Sequence, residues 1–415
     1  MSKANLFKRG SGIVLMLCFQ LSSLAQADTA VEQHAAHGER PRVGLVLGGG
    51  GARGAAHIGV LKELERLRIP VDVITGTSMG AIVGGLYASG MTAAELEDLV
   101  GSLDWAGALS DKPDREDLSF RRKQDDAQFP IDFEVGVRGT DLQLPKGVIQ
   151  GQKLDLLLRE LTVKSSHIDD FDDLPIPFRA IASDIGRGEP YVIGQGDLAR
   201  AIRASMSVPG VFAPVRVDGR LLVDGGIVGN LPVDVIQGMG VDVVIAVDVE
   251  FPLYGEDELG SVLTISEQML TILIRKETLR QIDRLGARDI LIRPELGTFA
   301  STDFGNILDT IEPGRQAAQA QAGKLQELAL NEADYAAYRA RHVLPRIAAS
   351  ELAFVRVLHE GRLSPAVLKS RLSVKAGDPI DTQVLAANAD RLYGLQLYEQ
   401  VGYELVEENG QVGVE

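Results

Sequence analysis

Two short apolar segments near the start of the chain, joined by a glycine-rich turn and a helical pattern, constrain its fold the most. RVGLVLG (42–48) and VDVIT (71–75) both have the composition of buried strands. Between them, ARGAAHIGVLKELERL (52–67) has apolar residues at helical spacing. A strand, a helix and a second strand in this order predict a βαβ unit with parallel strands and a right-handed crossover.

The same alternation continues downstream. Further buried-type strands are predicted at FRAIASDI, RLLVDGG, DVVIAVDV and DILIRPEL, with helical patterns at 147–161, 197–207, 232–238 and 261–285. Residues 309–343 are rich in Ala, Gln, Glu and Arg and predict a closing helix or helix pair. The order predicts an α/β layered domain.

The first 27 residues have the features of a secretory signal peptide. Lys3, Lys8 and Arg9 precede an apolar stretch that ends in small residues, and we expect cleavage after Ala27. Residues 28–41 are polar and small and predict a flexible lead. The only cysteine, Cys18, lies inside the signal, so the mature chain is expected to have neither a disulfide nor thiol chemistry. We therefore expect export to the periplasm, the outer membrane, the cell surface or beyond.

The charge balance excludes some partners. The chain has 42 Lys and Arg against 58 Asp and Glu, a net charge of −16, and removing the signal with its three cations gives 39 − 58 = −19. Such acidity argues against a nucleic-acid partner, because phosphate contacts need clustered cations. It also disfavours adsorption to anionic lipid, so membrane contact would be local and apolar.

The glycine-rich turn GGGGARG (48–54) follows the first predicted strand. Consecutive glycines expose backbone N–H groups, and a following helix N-terminus adds positive potential, so the turn predicts an anion cradle. Gly49, Gly51 and Gly54 also satisfy G-x-G-x-x-G, with Asp72 in the second strand as a candidate ribose ligand, which would instead indicate a dinucleotide site. No Lys-Ser/Thr pair follows, so a Walker-type loop is not expected.

Ser78 lies in a second motif, between the second strand and a helix of small residues. Gly76-Thr77-Ser78-Met79-Gly80 matches G-x-S-x-G in the strand-to-helix context of a nucleophile elbow. A serine that only caps a helix would not need glycines on both sides. With the anion cradle one βα unit upstream, the motif predicts an acyl-transfer site with a nucleophile and oxyanion donors.

A catalytic serine needs a base, and the histidines are weak candidates. His57 is predicted to pack within the first helix, and His167 lies in the polar stretch KSSHIDD. Only His342 fits the Ser-acid-His order of α/β-hydrolases, but stabilisation of a helix end explains it adequately.

Asp224 is the alternative base. It ends the apolar strand RLLVDGG, and Gly225 and Gly226 behind it allow a turn that directs the side chain inward. Most single aspartates at strand ends form turns, and only the serine elbow and the glycine loop favour a catalytic role here.

Together these segments resemble the patatin-like phospholipase family, whose marks are G-G-G-x-R/K-G, G-x-S-x-G and D-G-A/G. In this chain they are Gly49 to Gly54 with Arg53, Gly76 to Gly80, and Asp224 to Gly226, in the family's order. ASMSVPGVFAP (204–214) resembles the stretch that precedes the aspartate strand in that family. The resemblance covers residues 42–345.

The resemblance implies a three-layer patatin-like α/β domain with a mainly parallel sheet and a Ser-Asp dyad. Ser78 would be the nucleophile, Asp224 would accept its proton, and the oxyanion hole would be formed by backbone N–H groups near Gly49, Gly50 and Gly51. The implied substrate is a glycerophospholipid or another lipid ester, with no cofactor and no metal. Arg53 has two interpretations, a phosphate contact or a structural pair that holds the loop.

Residues 346–415 differ in composition and predict a small α+β unit, β-α-α-β-β, with a hairpin turn at Asn409-Gly410. This unit resembles a POTRA domain, which implies the secreted passenger and linker of a fused autotransporter. An outer-membrane barrel would then follow, and the last strand, GQVGVE, would offer unpaired backbone groups to its continuation. The alternative function is a nonenzymatic secretion or assembly module whose POTRA-like unit binds outer-membrane partners.

Overall fold

The structure is a computed structural model that describes residues 40–110, 136–138, 141–143, 149–344, 351–359, 361, 363–395 and 397–415. Within it, Arg42–Glu415 form one compact unit. The predicted signal peptide, residues 28–39 of the predicted lead and the predicted boundary at 345/346 lie outside the described residues. Across the described ranges, no helix combines the length and the apolar composition needed to cross a membrane.

Most strands in this part of the chain fall close to the predicted segments, but those at Gly136–Arg138, Asp141–Gln143, Glu189–Ile193 and Val215–Val217 are additional. Their bounds are β1 Val43–Leu47, β2 Val73–Thr77, β3 Gly136–Arg138, β4 Asp141–Gln143, β5 Phe178–Asp184, β6 Glu189–Ile193, β7 Val215–Val217, β8 Arg220–Asp224, β9 Val243–Val247, β10 Ile290–Ile292, β11 Leu405–Glu408 and β12 Gln411–Val414.

The helices pack on the sheet and on one another. Their bounds are α1 Ala56–Leu67, α2 Met79–Ala88, α3 Ala93–Ser102, α4 Trp105–Ala108, α5 Gln152–Thr162, α6 Leu198–Ser205, α7 Gly226–Gly229, α8 Val233–Gly238, α9 Val262–Ile282, α10 Ile311–Ala320, α11 Ala322–Gln326, α12 Glu332–Arg341, α13 Pro365–Lys369 and α14 Thr382–Tyr393.

Eight strands form one sheet in the order β10-β9-β1-β2-β5-β8-β7, with β6 also paired to β5. The strands from β10 to β5 are parallel, as the βαβ pattern predicts. Every residue of β1, β2 and β9 is buried, as expected for central strands covered on both faces. The prediction of an α/β domain with a mainly parallel sheet is confirmed.

The strand that carries Asp224 runs against this direction. β8 is antiparallel to β5, with Ala182 opposite Asp224, while β2 is parallel to β5, with Thr77 opposite Ile181. Because residues 181 and 182 are consecutive, the ends of β2 and β8 meet at one point on β5. Strand patterns alone do not report this change of direction.

Helices α1 and α10 cross at very short range. A methyl group built on Gly59 would lie 1.9 Å from the carbonyl oxygen of Ile311, and one on Gly314 would lie 2.0 Å from the carbonyl oxygen of Ala56. The two glycines therefore let the helix backbones touch. This contact fixes α1, which follows directly from the glycine-rich turn.

The end unit 351–415 has its own core, built around Leu352, Val355, Leu385 and Leu405, and Leu156 of α5 belongs to the same cluster. Two helices and a hairpin lie where the sequence predicts them, and the turn residues Asn409 and Gly410 have φ values of 53° and 77°. Both values suit a type I′ turn. The resemblance of this unit to a POTRA domain stays a prediction.

The prediction that the last strand has unpaired backbone groups is wrong. On one side β12 pairs with β11, and on the other side the N–H of Val414 donates to Phe354 while Arg356 donates to Val414. Segment 353–356 occupies this second edge of β12, because the chain brings β12 back alongside it.

We expect Gly314→Ala to lower the free energy of unfolding by about 1–3 kcal/mol, because the added methyl overpacks a backbone contact. The matched control is Gly323→Ala in α11, where an added methyl meets nothing within 4 Å. That control should change stability by no more than about 1 kcal/mol, since helix propensity favours alanine. Urea denaturation followed by circular dichroism measures both, and equal effects would contradict the close crossing.

Candidate active site

Ser78 lies on the sharp turn between β2 and α2, with φ 53° and ψ −120°. A positive φ at a non-glycine residue costs about 1–3 kcal/mol and clusters at functional sites. The Ser78 N–H donates to Ser205 Oγ at 3.0 Å, and the Ser78 carbonyl accepts from Ala81 at 2.9 Å. The backbone is thus held on both sides of a strained residue, and 8% of Ser78 is exposed.

The glycines of the elbow are required by close packing. A methyl on Gly80 would lie 2.1 Å from the carbonyl oxygen of Leu47, and one on Gly76 would lie 2.3 Å from the carbonyl oxygen of Gly80. The start of α2 therefore rests directly on the end of β1. This contact brings the elbow beside the glycine-rich turn.

The glycine-rich turn continues from β1 into a 3₁₀ turn, Gly51–Ala55, that leads into α1. Gly51 has φ 55°, and a methyl there would meet the carbonyl oxygen of Ser301 at 2.3 Å. The Gly49 N–H already donates to the carbonyl oxygen of Asn230 at 3.2 Å. In the part of the chain that the structure describes, no acceptor takes the N–H of Gly50 or Gly51. These two N–H groups are available to a ligand, whereas the Gly49 N–H is occupied in this conformation.

Arg53 is buried in the same turn. Its Nε donates to the carbonyl oxygen of Val249 at 2.9 Å, and its Nη1 donates to those of Gly297 at 3.1 Å and Phe299 at 2.6 Å. Burial lowers the pKa of the guanidinium. These contacts favour the structural interpretation of Arg53 over a phosphate contact. Gly54 beside it lies against Met79, 2.5 Å from an added methyl.

The dinucleotide interpretation fails at Asp72. Its carboxylate accepts from the backbone N–H of Val43 at 2.7 Å, at the beginning of β1. The glycine-rich turn follows the opposite end of that strand, so Asp72 cannot contact a ligand held there.

In the described part of the chain, no histidine is paired with the serine. His57 is fully buried, its Nε2 lies 2.7 Å from the carbonyl oxygen of Gly48, and burial lowers its pKa to about 4. The ring is therefore neutral at pH 7 and donates from Nε2. His167 is exposed, and His342 bonds to the carbonyl oxygen of Tyr338 and packs on that ring.

Asp224 is the last residue of β8 and is almost fully buried. Its Oδ1 accepts from the Gly226 N–H at 2.7 Å, and its backbone carbonyl accepts from Ser183 Oγ at 2.7 Å. Burial raises the pKa of Asp224 to about 6, against the opposing effects of the Gly226 N–H and the Ser78 hydroxyl. Its Oδ2 is buried without a well-formed hydrogen bond from the described chain, so the Ser78 hydroxyl is a near neighbour rather than an aligned donor.

The two glycines after Asp224 are needed for different structural reasons. A methyl on Gly225 would lie 2.3 Å from the carbonyl oxygen of Ile181 on β5, and one on Gly226 would lie 3.0 Å from Asp224 Oδ1. Gly225 allows the close approach of the turn to the sheet. Gly226 leaves room for the N–H that holds the carboxylate.

Two serines that sequence reasoning missed support both candidate residues. Ser205 Oγ holds the Ser78 N–H, and the Ser205 carbonyl accepts from Gly225 at 3.3 Å. The Ser207 carbonyl accepts from the Asp224 N–H at 2.9 Å. Both serines lie in the ASMSV segment (204–208), whose resemblance to the patatin-like family is the signal that points to them.

Asn230 was also missed. It is buried, its Nδ2 donates to Thr278 Oγ1 at 3.3 Å, and its Oδ1 has no partner in the described ranges. A methyl on Gly49 would lie 2.7 Å from that Oδ1. Asn230 therefore packs against the glycine-rich turn through both its backbone and its side chain.

Comparison with known proteins agrees with these motifs. The family profile described as patatin-like phospholipase matches residues 45–236. An NTE family protein of Mycobacterium tuberculosis is 36% identical over 207 residues, 50% of this chain and 49% of that protein. Lysophospholipase nte1 of Aspergillus fumigatus is 36% identical over 209 residues, 50% of this chain and 12% of that protein.

A third relative matches over a longer range. Patatin-like phospholipase domain-containing protein 7 of Mus musculus is 30% identical over 299 residues, 66% of this chain and 20% of that protein. The chain thus spans about half of the mycobacterial relative's length and less of the others. Among solved structures, VipD from Legionella pneumophila superposes with a TM-score of 0.38 at 15% identity, covering 69% of this chain and 67% of that one.

The glycine-rich turn, the elbow around Ser78 and the Asp224-Gly-Gly turn occur in this order within the matched range 45–236. Residues 45–236 are thus similar to the patatin-like phospholipase family.

Proposed function

We propose that the chain is a lipid acyl hydrolase of the phospholipase A type, in which Ser78 is the nucleophile and Asp224 is its base. The observation that carries the proposal is the meeting of a strained serine with a buried carboxylate at one point on β5. The names of the relatives, a lysophospholipase and a patatin-like phospholipase, support a lipid ester as substrate.

The chemistry proceeds in two halves. Ser78 Oγ attacks the ester carbonyl while its proton passes to Asp224, and the N–H groups of Gly50 and Gly51 stabilise the oxyanion. The C–O bond to the alcohol breaks, the alcohol takes the proton from Asp224, and an acyl-Ser78 ester remains. Water then attacks that ester while Asp224 accepts its proton. As the acyl–oxygen bond breaks, Asp224 passes this proton to Ser78 Oγ, which releases the fatty acid and regenerates the serine.

The elevated pKa of Asp224 suits this role, because a general base works best when its pKa lies near the working pH. Oδ2, which lacks an aligned donor, is the oxygen that we assign to proton transfer. No cofactor or metal enters these steps.

We further propose that the outer face of α9 contacts the lipid surface. Several of its exposed residues are apolar and recur at helical spacing: Val262 at 83%, Ile265 at 47%, Met269 at 62%, Ile272 at 48% and Leu273 at 50% exposure. Its buried residues include the polar Thr271, Thr278 and Gln281. An exposed apolar stripe on a helix that buries polar groups indicates an apolar partner.

The position and charge of α9 favour a bilayer as that partner. Thr278 bonds to Asn230, and Ile274 lies 3.5 Å from a methyl built on Gly226, so the helix lies beside the turn after Asp224. The first half of the helix, VLTISEQMLTIL, has Glu267 as its single charge. Because the chain has a net charge of −16, we propose a zwitterionic rather than an anionic surface.

We expect Ser78→Ala and Asp224→Asn each to lower kcat for a lipid ester by about a thousandfold or more, on the scale of losses in other serine hydrolases. The double variant should be no slower than the worse single variant, because the two groups act as one unit. The matched control is Asp218→Asn, the same change in the exposed turn between β7 and β8. A double variant with multiplied losses would contradict the dyad.

We expect kcat/KM to fall about tenfold per pH unit below a midpoint near 6, because the protonated Asp224 cannot accept the serine proton. Because burial raises the pKa of Asp224, its carboxylate becomes protonated at a higher pH than that of an exposed aspartate. A stopped assay from pH 4 to 8 with a soluble ester measures this limb. Activity that stays constant down to pH 4 would exclude Asp224 as the titrating base.

We expect Met269→Ser/Leu273→Ser to weaken binding to phosphatidylcholine vesicles by about tenfold, corresponding to about 1.4 kcal/mol. Hydrolysis of vesicle lipid should fall with it, while hydrolysis of a short soluble ester should not change. The matched control is Leu397→Ser, which removes an exposed leucine of the end unit. Unchanged vesicle binding would contradict the proposal, and loss of a dimer in sedimentation would assign the face to a second copy instead.

A further inference from the structure

A buried arginine lies at the centre of the support for both candidate catalytic residues. Arg203 is 1% exposed at the end of α6, where its Nη1 donates to Ser207 Oγ at 2.7 Å. Its Nη2 donates to the carbonyl oxygen of Gln150 at 2.9 Å, and its guanidinium stacks on the ring of Phe212. The side chain thus joins the segment before β7 to the start of α5.

On one side, Arg203 is connected to the Ser78–Asp224 pair through hydrogen bonds of Ser207 and Ser205. Ser207 Oγ donates back to the carbonyl oxygen of Arg203 at 2.8 Å, and the Ser207 carbonyl accepts from the Asp224 N–H. Two residues earlier, Ser205 holds the backbone of Ser78. The short segment 203–207 therefore holds the backbones of both the nucleophile and the base.

On the other side, the arginine packs against the N-terminus of α5. A methyl on Gly151 would lie 2.2 Å from Arg203 Nη2, and Gly151 has φ 82°, so both the space and the conformation there require glycine. The next residue, Gln152, is fully buried. The position of the guanidinium and the start of α5 are consequently set together.

Gln152 continues this network into the end unit. Its Nε2 donates to the carbonyl oxygen of Val401 at 2.6 Å, and the Val401 N–H donates to its Oε1 at 2.9 Å. A side-chain amide that pairs with both polar groups of one backbone residue imitates a strand pairing and fixes position strongly. Further along α5, Arg159 donates to the carbonyl oxygen of Tyr403 at 2.9 Å.

We propose that Arg203 is a positioning residue for the Ser78–Asp224 dyad and that Gln152 couples it to the end unit, so that the docked end unit supports the catalytic geometry. This inference rests on the proposed hydrolase function. It differs from the expectation that the end unit is a linker between a passenger and an outer-membrane barrel.

The test uses the full-length chain with a soluble ester and separate determination of kcat and KM. Arg203→Met removes the hydrogen bonds to Ser207 and Gln150 and should lower kcat about a hundredfold with KM within about twofold, because ground-state binding is not affected. Arg203→Lys can satisfy one acceptor but not both, so it should retain an intermediate kcat, about tenfold below the unaltered chain. If Arg203→Met fails to fold, the lysine variant carries the test.

Gln152→Ala should lower kcat about fivefold, and in combination with Arg203→Lys it should add little, because the two residues act in series. The matched control is Asn388→Ala, which removes a buried amide inside the end unit that bonds to Ser373 and Val384. That control should lower stability but leave kcat within about twofold.

Three results would overturn the coupling: unchanged kcat in folded Gln152→Ala, multiplied losses in the double variant, or an equal loss in Asn388→Ala. Labelling of Ser78 by a fluorophosphonate separates this outcome from failure of the hydrolase proposal. A chain that neither labels at Ser78 nor hydrolyses esters contradicts the function itself. A chain that does both while the coupling variants behave as unaltered contradicts only the coupling.

Discussion

The pairing of two strands on the same edge of β5 is the constraint on which the site depends. β2 arrives parallel and β8 antiparallel, and their ends meet where Thr77 and Asp224 lie opposite the consecutive residues Ile181 and Ala182. A slip of one register position would turn the side chains at these ends to the other face of the sheet. Ser183 Oγ, which donates to the Asp224 carbonyl, adds a contact specific to this register.

Around this junction, most bonds of the buried polar groups go to the backbone. Ser205 bonds to the N–H of Ser78 and His57 to the carbonyl oxygen of Gly48, while Arg203 bonds to both Ser207 Oγ and the Gln150 carbonyl oxygen. Hydrogen bonds of buried groups contribute modestly to net stability, but a lost partner is costly. Their main effect here is therefore on geometry, which a nucleophile and its base need within fractions of an ångström.

Local patterns were sufficient for much of this architecture. Apolar runs located β1, β2, β5, β8, β9 and β10, and the glycine spacing around Ser78 located the elbow, because both signals depend on neighbours in sequence. The direction of β8 and the pairing of β12 with segment 353–356 depend on contacts between distant segments, which periodicity does not encode. The roles of Ser205, Gln152 and Asn230 were missed for the same reason, since small or polar residues in apolar stretches have no pattern of their own. The exposed apolar stripe of α9 has helical spacing, yet its outward direction is set by packing.

The backbone of Ser78 has a consequence for how such a domain changes over evolutionary time. A residue with φ 53° is strained unless it is glycine, so replacement of this serine by glycine relieves about 1–3 kcal/mol of strain and removes the hydroxyl. Selection for stability alone thus acts against the serine, so the proposed chemistry is what would retain it. A gene copy released from that chemistry would be expected to lose the serine early while the sheet and the glycines that pack against it remain.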